Sequence, residues 1–487
     1  MLSELFFLYG SNLTSSDFNS TREAVAAMSR SHNQLLSVVL VSVAVAIPIT
    51  ATHYTPKLLR LFLTDRIHLS ILTIYALAAL HANWVSYLVR DSHEAKYLVA
   101  AVMFTTFLGF SLVVPYFCYV IWFLEPTSLV SRIRKQGVRA VDNATHHRRL
   151  HASKKELAHC LHNLGSLMLK AIDGSARRGT EEAIRATREI LNEYGLEKPK
   201  LPPEWFQPEE EDFRGLAPEA MHFIAADHCW AEIVALQDLN LAFEAAMTKM
   251  PDAVVYVADT IRGIASDAYK RSDIPVVDNA VRAFNSNIRF AITHGEPHAV
   301  FDVLTQYRIL AEEALVQYPS LSIDIAENLA YYSGAAQAAE LKFVPELFMY
   351  DMGILYRASI ESECTSAPTI LDVFSHQARK LSPQKNIPLG CAFLVTYAHA
   401  IRELDTEQEA VFLGLAKLFE RETLKAAFDV LYRTNSPRYR ELTARQLDLN
   451  FVPPQLIEEV YAALQNLWPD FTVECPKMVQ GQNQRVP

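Results

Sequence analysis

Five histidines fall close together, at positions 146, 147, 151, 159 and 162. Imidazole is a common metal ligand and changes charge near neutral pH, so such a group raises a metal or haem site, or a pH-sensitive face. On a helix, at about 100° per residue, His147, His151 and His162 fall within about 60° of one another. The spacing lacks the tight carboxylate–histidine pairing of strong metal motifs. Lys155 also stands on the same face, where it would repel a cation. These residues therefore read first as a solvated helix face, and no metal or cofactor is expected. A second, weaker group is His222, Asp227, His228 and Cys229, while His294-Gly-Glu-Pro-His298 has the form of a turn between two helices.

His81 and Asn83 sit inside a long apolar run. A polar side chain in lipid must find a partner, so such positions are functional candidates by default. The competing reading is a hydrogen bond to a neighbouring helix near the membrane boundary, and Trp84 and Tyr87 place them there. Further on, Arg132, Arg134, Lys135 and Arg139 form a basic cluster suited to anionic lipid headgroups, at about 1 kcal/mol each.

The usual catalytic spacings are missing. There is no GxxxxGK[ST], GxGxxG, HExxH, GxSxG or EF-hand loop. The carboxylates read as solvated helix faces. An enzyme is not expected.

The elements that must hold these residues begin with three apolar runs, Leu35–Thr52, Ile67–Val89 and Tyr97–Leu124. The second and third lack Asp, Glu, Lys and Arg, and each exceeds the ~20 residues a helix needs to cross a roughly 30 Å hydrocarbon core. Aromatics mark their ends. The first run is shorter and carries Pro48; spanning is expected, with a helix lying in the interface as the alternative. With three spans, the loop His53–Arg66 and everything after Leu124 share one side. That side holds Lys57, Arg60, Arg66 and the basic residues from Arg132 to Lys155. The other holds only Arg22, Arg30, Arg90 and Lys96. This predicts a multi-pass protein with its N-terminus outside and the bulk of the chain cytoplasmic. Tyr54–Phe62 reads as a short interfacial helix.

The formal charge of −10 argues against a nucleic-acid partner. Only 15 of 487 residues are glycine, which favours helices over hairpins. The six cysteines are scattered without a CxxC and are expected as free thiols. Beyond Pro218, prolines recur at intervals suited to opening helices joined by short loops. Val276–Ile292, Ala299–Val316, Ile323–Leu341, Leu347–Ile360 and a longer Ala410–Tyr432 all show helical spacing. Leu389–Ile401 is apolar but short, as in a buried core helix. Thr180–Tyr194 reads as a helix stopped by Gly195.

The expected fold is all-α: three transmembrane helices followed by a large cytoplasmic helical bundle or α-solenoid-like array. The predicted divisions are an outer tail at 1–33 and a membrane domain at 34–125, with spans near 35–52, 67–89 and 97–124. A juxtamembrane stalk follows at 126–195, an exposed proline-rich, acidic linker at 196–217, a helical domain at 218–467 and a tail at 468–487.

Two stretches, YTPKLLRLFLTDR leading into a span and FLEPTSLVSRI closing another, resemble a family of bacterial inner-membrane proteins known only as a domain of unknown function. The segment DIPVVDNAVRAFNSNIRFAITHGEPHAVFDVL is similar to their helical cytoplasmic part. The resemblance implies the bacterial inner membrane and a helical domain. It carries no chemistry, and a small β-rich piece expected after the spans has no counterpart here. The leading expectation is a membrane-anchored scaffold or regulatory protein that binds a protein partner or a second copy of itself. The alternatives are a subunit of an oligomeric ion channel or small-solute conduit lined by His81 and Asn83, and a metal- or haem-binding membrane protein using His147, His151 and His162.

Overall fold

The computed structural model describes residues 18–53, 65–88, 96–146, 148–209, 213, 218–434 and 449–473. Among these residues every element is helical and no strand occurs. Three long helices come first: α1, Phe18–His53; α2, Arg66–Leu88; and α3, Lys96–Leu124. Val25 of α1 meets Val85 of α2 and Val99 of α3, and further along Val39 meets Tyr75 and Tyr116. Helices α1 and α3 therefore run parallel, and α2 runs against both.

Two of these helices, not three, are long and apolar enough to cross a bilayer among the described residues: Arg66–Leu88 and Tyr97–Trp122. The expected span at 35–52 is not one of them, and its residues 43 and 45–52 carry side chains outside the described ones. It lies within α1, whose first half carries Arg22, Glu23, Arg30, His32 and Asn33. The tail up to residue 17 and the expected interfacial helix 54–62 lie outside the described residues.

The packing of this block is inverted relative to a water-soluble bundle. Only 28% of the apolar window of α2 and 17% of that of α3 are buried. Leu77, Leu80, Phe107, Val114 and Ile121 face outward, while His32, His68, Tyr75 and Tyr116 are buried between the helices. An apolar exterior around polar side chains is unfavourable in water and suits a hydrocarbon solvent.

A single residue, Glu125, separates α3 from α4, Pro126–Thr145. Pro126 opens α4 at the position where a missing N–H leaves no intrahelical bond unmade. Leu129, Val130, Ile133 and Val141 form the expected apolar stripe and enter one large hydrophobic core. That core runs through α5 (Leu150–Asp173), α6 (Arg177–Glu197), α7 (Pro218–Ala226), α8 (Trp230–Lys249), α9 (Asp252–Lys270), α10 (Ile274–His294), α11 (Pro297–Ala314), α12 (Pro319–Ala338), α13 (Val344–Glu361), α14 (Ala367–Lys380), α15 (Ile387–Ala400), α16 (Thr406–Ala416), α17 (Arg421–Thr434) and α18 (Pro454–Leu467). From α8 to α13 each helix packs on the next and on the next but one. One row comprises α6, α9, α11, α13, α15 and α17; the other comprises α5, α8, α10, α12, α14 and α16. This neighbour-to-neighbour connectivity is that of an array.

The prolines do what their spacing predicts. Pro275, Pro297, Pro319, Pro345, Pro368 and Pro388 occupy the first or second position of α10 to α15. Gly295 ends α10 at φ +67°, so the HGEP segment is the turn expected. The apolar α15 is buried along almost its whole length.

Three expectations need correction. The described part of the stretch 196–217, residues 196–209 and 213, is not an exposed linker: Trp205, Phe206 and Phe213 are buried, and Trp205 lies 6.4 Å from Tyr194 and 5.9 Å from Trp230 between ring centroids. It is a packed strap. With α5 on α8 and α6 on α9, the stalk and the helical domain share one core. The long helix 410–432 is two helices, α16 and α17, because Phe419 turns into the core and Glu420 N donates to Gln384 O at 3.0 Å. Gly195 does not stop α6, which continues to Glu197. A Cβ there would lie 2.4 Å from Arg271 Nη2, so the glycine admits an arginine.

Candidate functional site within the membrane helices

Asp65 immediately precedes α2. Its Oδ1 accepts from the backbone N–H of Ile67 and of His68, both at 3.1 Å, and so caps the helix. The same oxygen accepts from the Tyr119 hydroxyl of α3 at 2.6 Å. Its Oδ2 lies 4.0 Å from Arg132 Nη1 of α4. The Arg132 guanidinium sits 4.7 Å from the Trp122 ring centroid and 5.8 Å from that of Tyr119. One carboxylate thus ties the start of α2, the end of α3 and the beginning of the array.

From this joint a column of polar side chains runs up the interior. The Tyr116 hydroxyl is 2.8 Å from His68 Nδ1, and the two rings stack. Tyr75 donates its hydroxyl proton to the Gly109 carbonyl at 2.7 Å. Above it lies His32, fully buried. Its Nε2 is 2.9 Å from Thr106 Oγ1 and 3.4 Å from Thr105 Oγ1. Both threonine hydroxyls donate to the Val102 carbonyl, at 2.7 and 3.0 Å, so towards His32 they accept. The other ring nitrogen, Nδ1, has no hydrogen-bond partner. A buried polar atom left unpaired costs about 1–3 kcal/mol.

At the far end of the column, Asn83 Oδ1 accepts from Ser29 at 2.5 Å and from Asn33 at 3.2 Å. Asn83 returns a bond to Asn33 Oδ1 at 3.2 Å. Asn83 thus has the neighbouring-helix partners that its position called for. His81 is half-buried and within electrostatic reach of His32. The sequence reading singled out His81 and Asn83 but missed His32, Asp65 and Tyr119. Asp65 did carry a signal, an Asp directly before an apolar run, which marks a helix N-cap. His32 carried none, because the helix that presents it is polar on both sides of it.

The other candidates do not assemble. His147 lies outside the described residues. His151 and His162 share a face of α5 but stand about 16 Å apart along its axis at 1.5 Å per residue. Each faces its own carboxylate, Glu209 at 3.5 Å and Asp238 at 3.6 Å. No group of three or more His, Cys, Asp or Glu side chains arranged to hold a metal occurs among the described residues. His228 stacks on Phe206 at 4.0 Å, and burial pushes the Cys229 thiol up to about 12. Of the basic cluster, Arg132 joins the Asp65 network and Arg134 pairs with Glu189 at 2.7 Å, while Lys135 and Arg139 remain exposed.

Residues 4–173 match a family described as "Predicted membrane protein (DUF2254)". This is a membrane protein. The match takes in α1 to α5, and with them the Asp65 joint and the whole polar column. It stops at the end of α5, so the segment DIPVVDNAVRAFNSNIRFAITHGEPHAVFDVL in α10 and α11 lies outside it. Nothing among the curated proteins or the solved structures matches the chain.

Proposed function

We propose that this DUF2254-matching protein is a membrane-anchored interaction platform. The membrane helices hold the helical array at the cytoplasmic face of a bacterial inner membrane, where the array binds a protein partner or a second copy of the chain. The observation that carries this is the junction at Glu125: α3 passes into α4 across one residue, and α4 is built into the core of the array. A junction so short holds the array against the bilayer. Exposed Lys135 and Arg139 near it suit anionic headgroups, and the lysine and arginine bias after Leu124 favours the cytoplasmic side.

The array also offers contact surface of a suitable kind. An open cleft along α10 and α12 is lined by Arg282, Arg289, Phe290, His294 and Tyr332. Arginine and aromatic residues are enriched in interfaces. Tyr331 and Val316 stand out from neighbouring surface. No catalytic role is assigned to any of these residues.

The test is site-specific photo-crosslinking of the full-length protein in native membranes. The crosslinker is placed in turn at Arg289, Val316 and Tyr331, and at Tyr97 in the membrane block as a control. A discrete adduct from at least one array position supports the reading, and its mass distinguishes self-association from a partner. Uncrosslinked monomer from every array position contradicts it.

A further inference from the structure

We propose that the cleft along α10 and α12 binds a soluble organic phosphate, an anion with at least two charges and a flat ring, as nucleotides have. This goes beyond the platform reading and does not depend on it. The cleft has a volume of about 510 Å³, within the range of small-molecule sites.

Its basic wall comes from α10. Arg282, Asn285 and Arg289 stand three and four residues apart, so they share one face, and the two arginines lie about 10 Å apart along the axis. Both arginines are exposed, and neither pairs with a carboxylate among the described residues. The Arg282 guanidinium donates to Asn279 Oδ1 at 3.2 Å. Arg289 has the Tyr332 phenol beside it, brought in by α12, with Tyr331 close by. Arginines elsewhere in the array are matched by acids: Arg188 by Asp267 at 3.0 Å, Arg262 by Glu313 at 2.7 Å and Arg308 by Asp351 at 3.0 Å. None of the residues lining the cleft is Asp or Glu. Asp278 is within electrostatic reach of Arg282, and Asp324 of Asp278, but neither acid forms an ion pair with either arginine. In a chain of formal charge −10, two guanidiniums in one cleft without an acid leave their charge for a ligand. The planar guanidinium fork suits phosphate oxygens.

Asn285 is held so as to add donors. Its Oδ1 accepts from the Tyr307 hydroxyl at 3.1 Å, and that hydroxyl in turn accepts from the Asn328 amide at 3.0 Å. The amide nitrogen of Asn285 keeps its N–H groups for the cleft. The chain has no GxxxxGK[ST] loop, so side chains rather than backbone N–H groups would hold the phosphates.

The ring has its own place in the same cleft. Phe290 and His294 stack with their centroids 4.1 Å apart, and His294 Nδ1 donates to the Phe290 carbonyl at 2.9 Å, which fixes the imidazole. The exposed imidazole offers a flat ring a surface to stack on.

The experiment is isothermal titration calorimetry of the full-length protein in a neutral detergent, at low salt and without divalent metal. The probes are ATP and inorganic pyrophosphate. Both should bind, ATP more tightly, because it alone carries a ring. Arg282→Ala and Arg289→Ala should each weaken both probes about tenfold, the effect of losing one charge-assisted contact. His294→Ala should weaken ATP severalfold and leave pyrophosphate unchanged. Arg379→Ala, an exposed arginine likewise without an acid but outside the cleft, should change nothing. All four side chains are exposed, so these substitutions leave the core untouched. No binding of ATP at millimolar concentration overturns the proposal. So does an ATP affinity unaffected by the two arginine substitutions or by His294→Ala, or pyrophosphate binding as tight as that of ATP.

Discussion

Lys198 shows how much a single side chain contributes outside the membrane. Its ammonium donates to Glu232 at 2.9 Å and to Asp273 at 2.6 Å, and both it and Glu232 are nearly inaccessible to water. Burial alone would lower the lysine pKa, but the two carboxylates outweigh it, so the value lies above the ordinary 10.5. A base whose folded pKa is raised contributes stability that is whole below its unfolded pKa and is lost as pH rises through the folded value. Lys198→Met should therefore cost about 3–5 kcal/mol near neutral pH, because it strands Glu232 as a buried unpaired acid. Chemical unfolding of wild type and variant in one detergent would check this. The gap between them should hold from pH 7 to 9 and narrow above about 10.5. Nothing in the sequence marked Lys198 as special: it sits among prolines and acids, and only the fold brings residue 232 and residue 273 to it. The same holds for His32. His81 and Asn83 could be found from sequence because charge-free neighbours made them conspicuous.

At the scale of elements, local rules worked wherever the backbone itself decides. A proline at the head of a helix and a glycine at positive φ at its end are local requirements; α10 to α15 each open on a proline, and α10 closes on Gly295. The rules failed where tertiary packing decides. The strap at 198–209 has the composition of a loop, yet Trp205 and Phe206 bury themselves against α6 and α8. The break between α16 and α17 is set by the carbonyl of Gln384, far away in sequence, which accepts from Glu420 N and from the Thr423 hydroxyl at 2.6 Å. The Asp65 joint belongs to this scale, because it couples three helices through one carboxylate. Asp65→Asn keeps the cap but loses the charge facing Arg132, so α4 should loosen from the membrane block. Hydrogen exchange of the full-length protein should then show faster exchange in the first turns of α2 and α4, with α10 to α13 unchanged. Equal protection in all of these would mean that the joint bears no load.

For the whole molecule, composition and charge-free length were enough to find the two helices that can cross a bilayer and the all-helical character of the rest. The expected third span at 35–52 is not found among the described residues, where α1 turns Ser29 and His32 inward and Val38, Leu40 and Val41 outward. The order of the array was not legible either. Helical repeats without a repeated motif look the same in sequence as a closed bundle, and only the contacts between successive helices separate them.

The central claim is that two apolar helices anchor a helical array to the inner face of a membrane. Labelling of a Val316→Cys variant with a membrane-impermeant maleimide tests it most directly, with the unsubstituted protein as background. The account predicts labelling in inverted vesicles and none in intact cells, with the protein still in the membrane after an alkaline carbonate wash. Labelling from outside intact cells, or release of the protein by the wash, would contradict it.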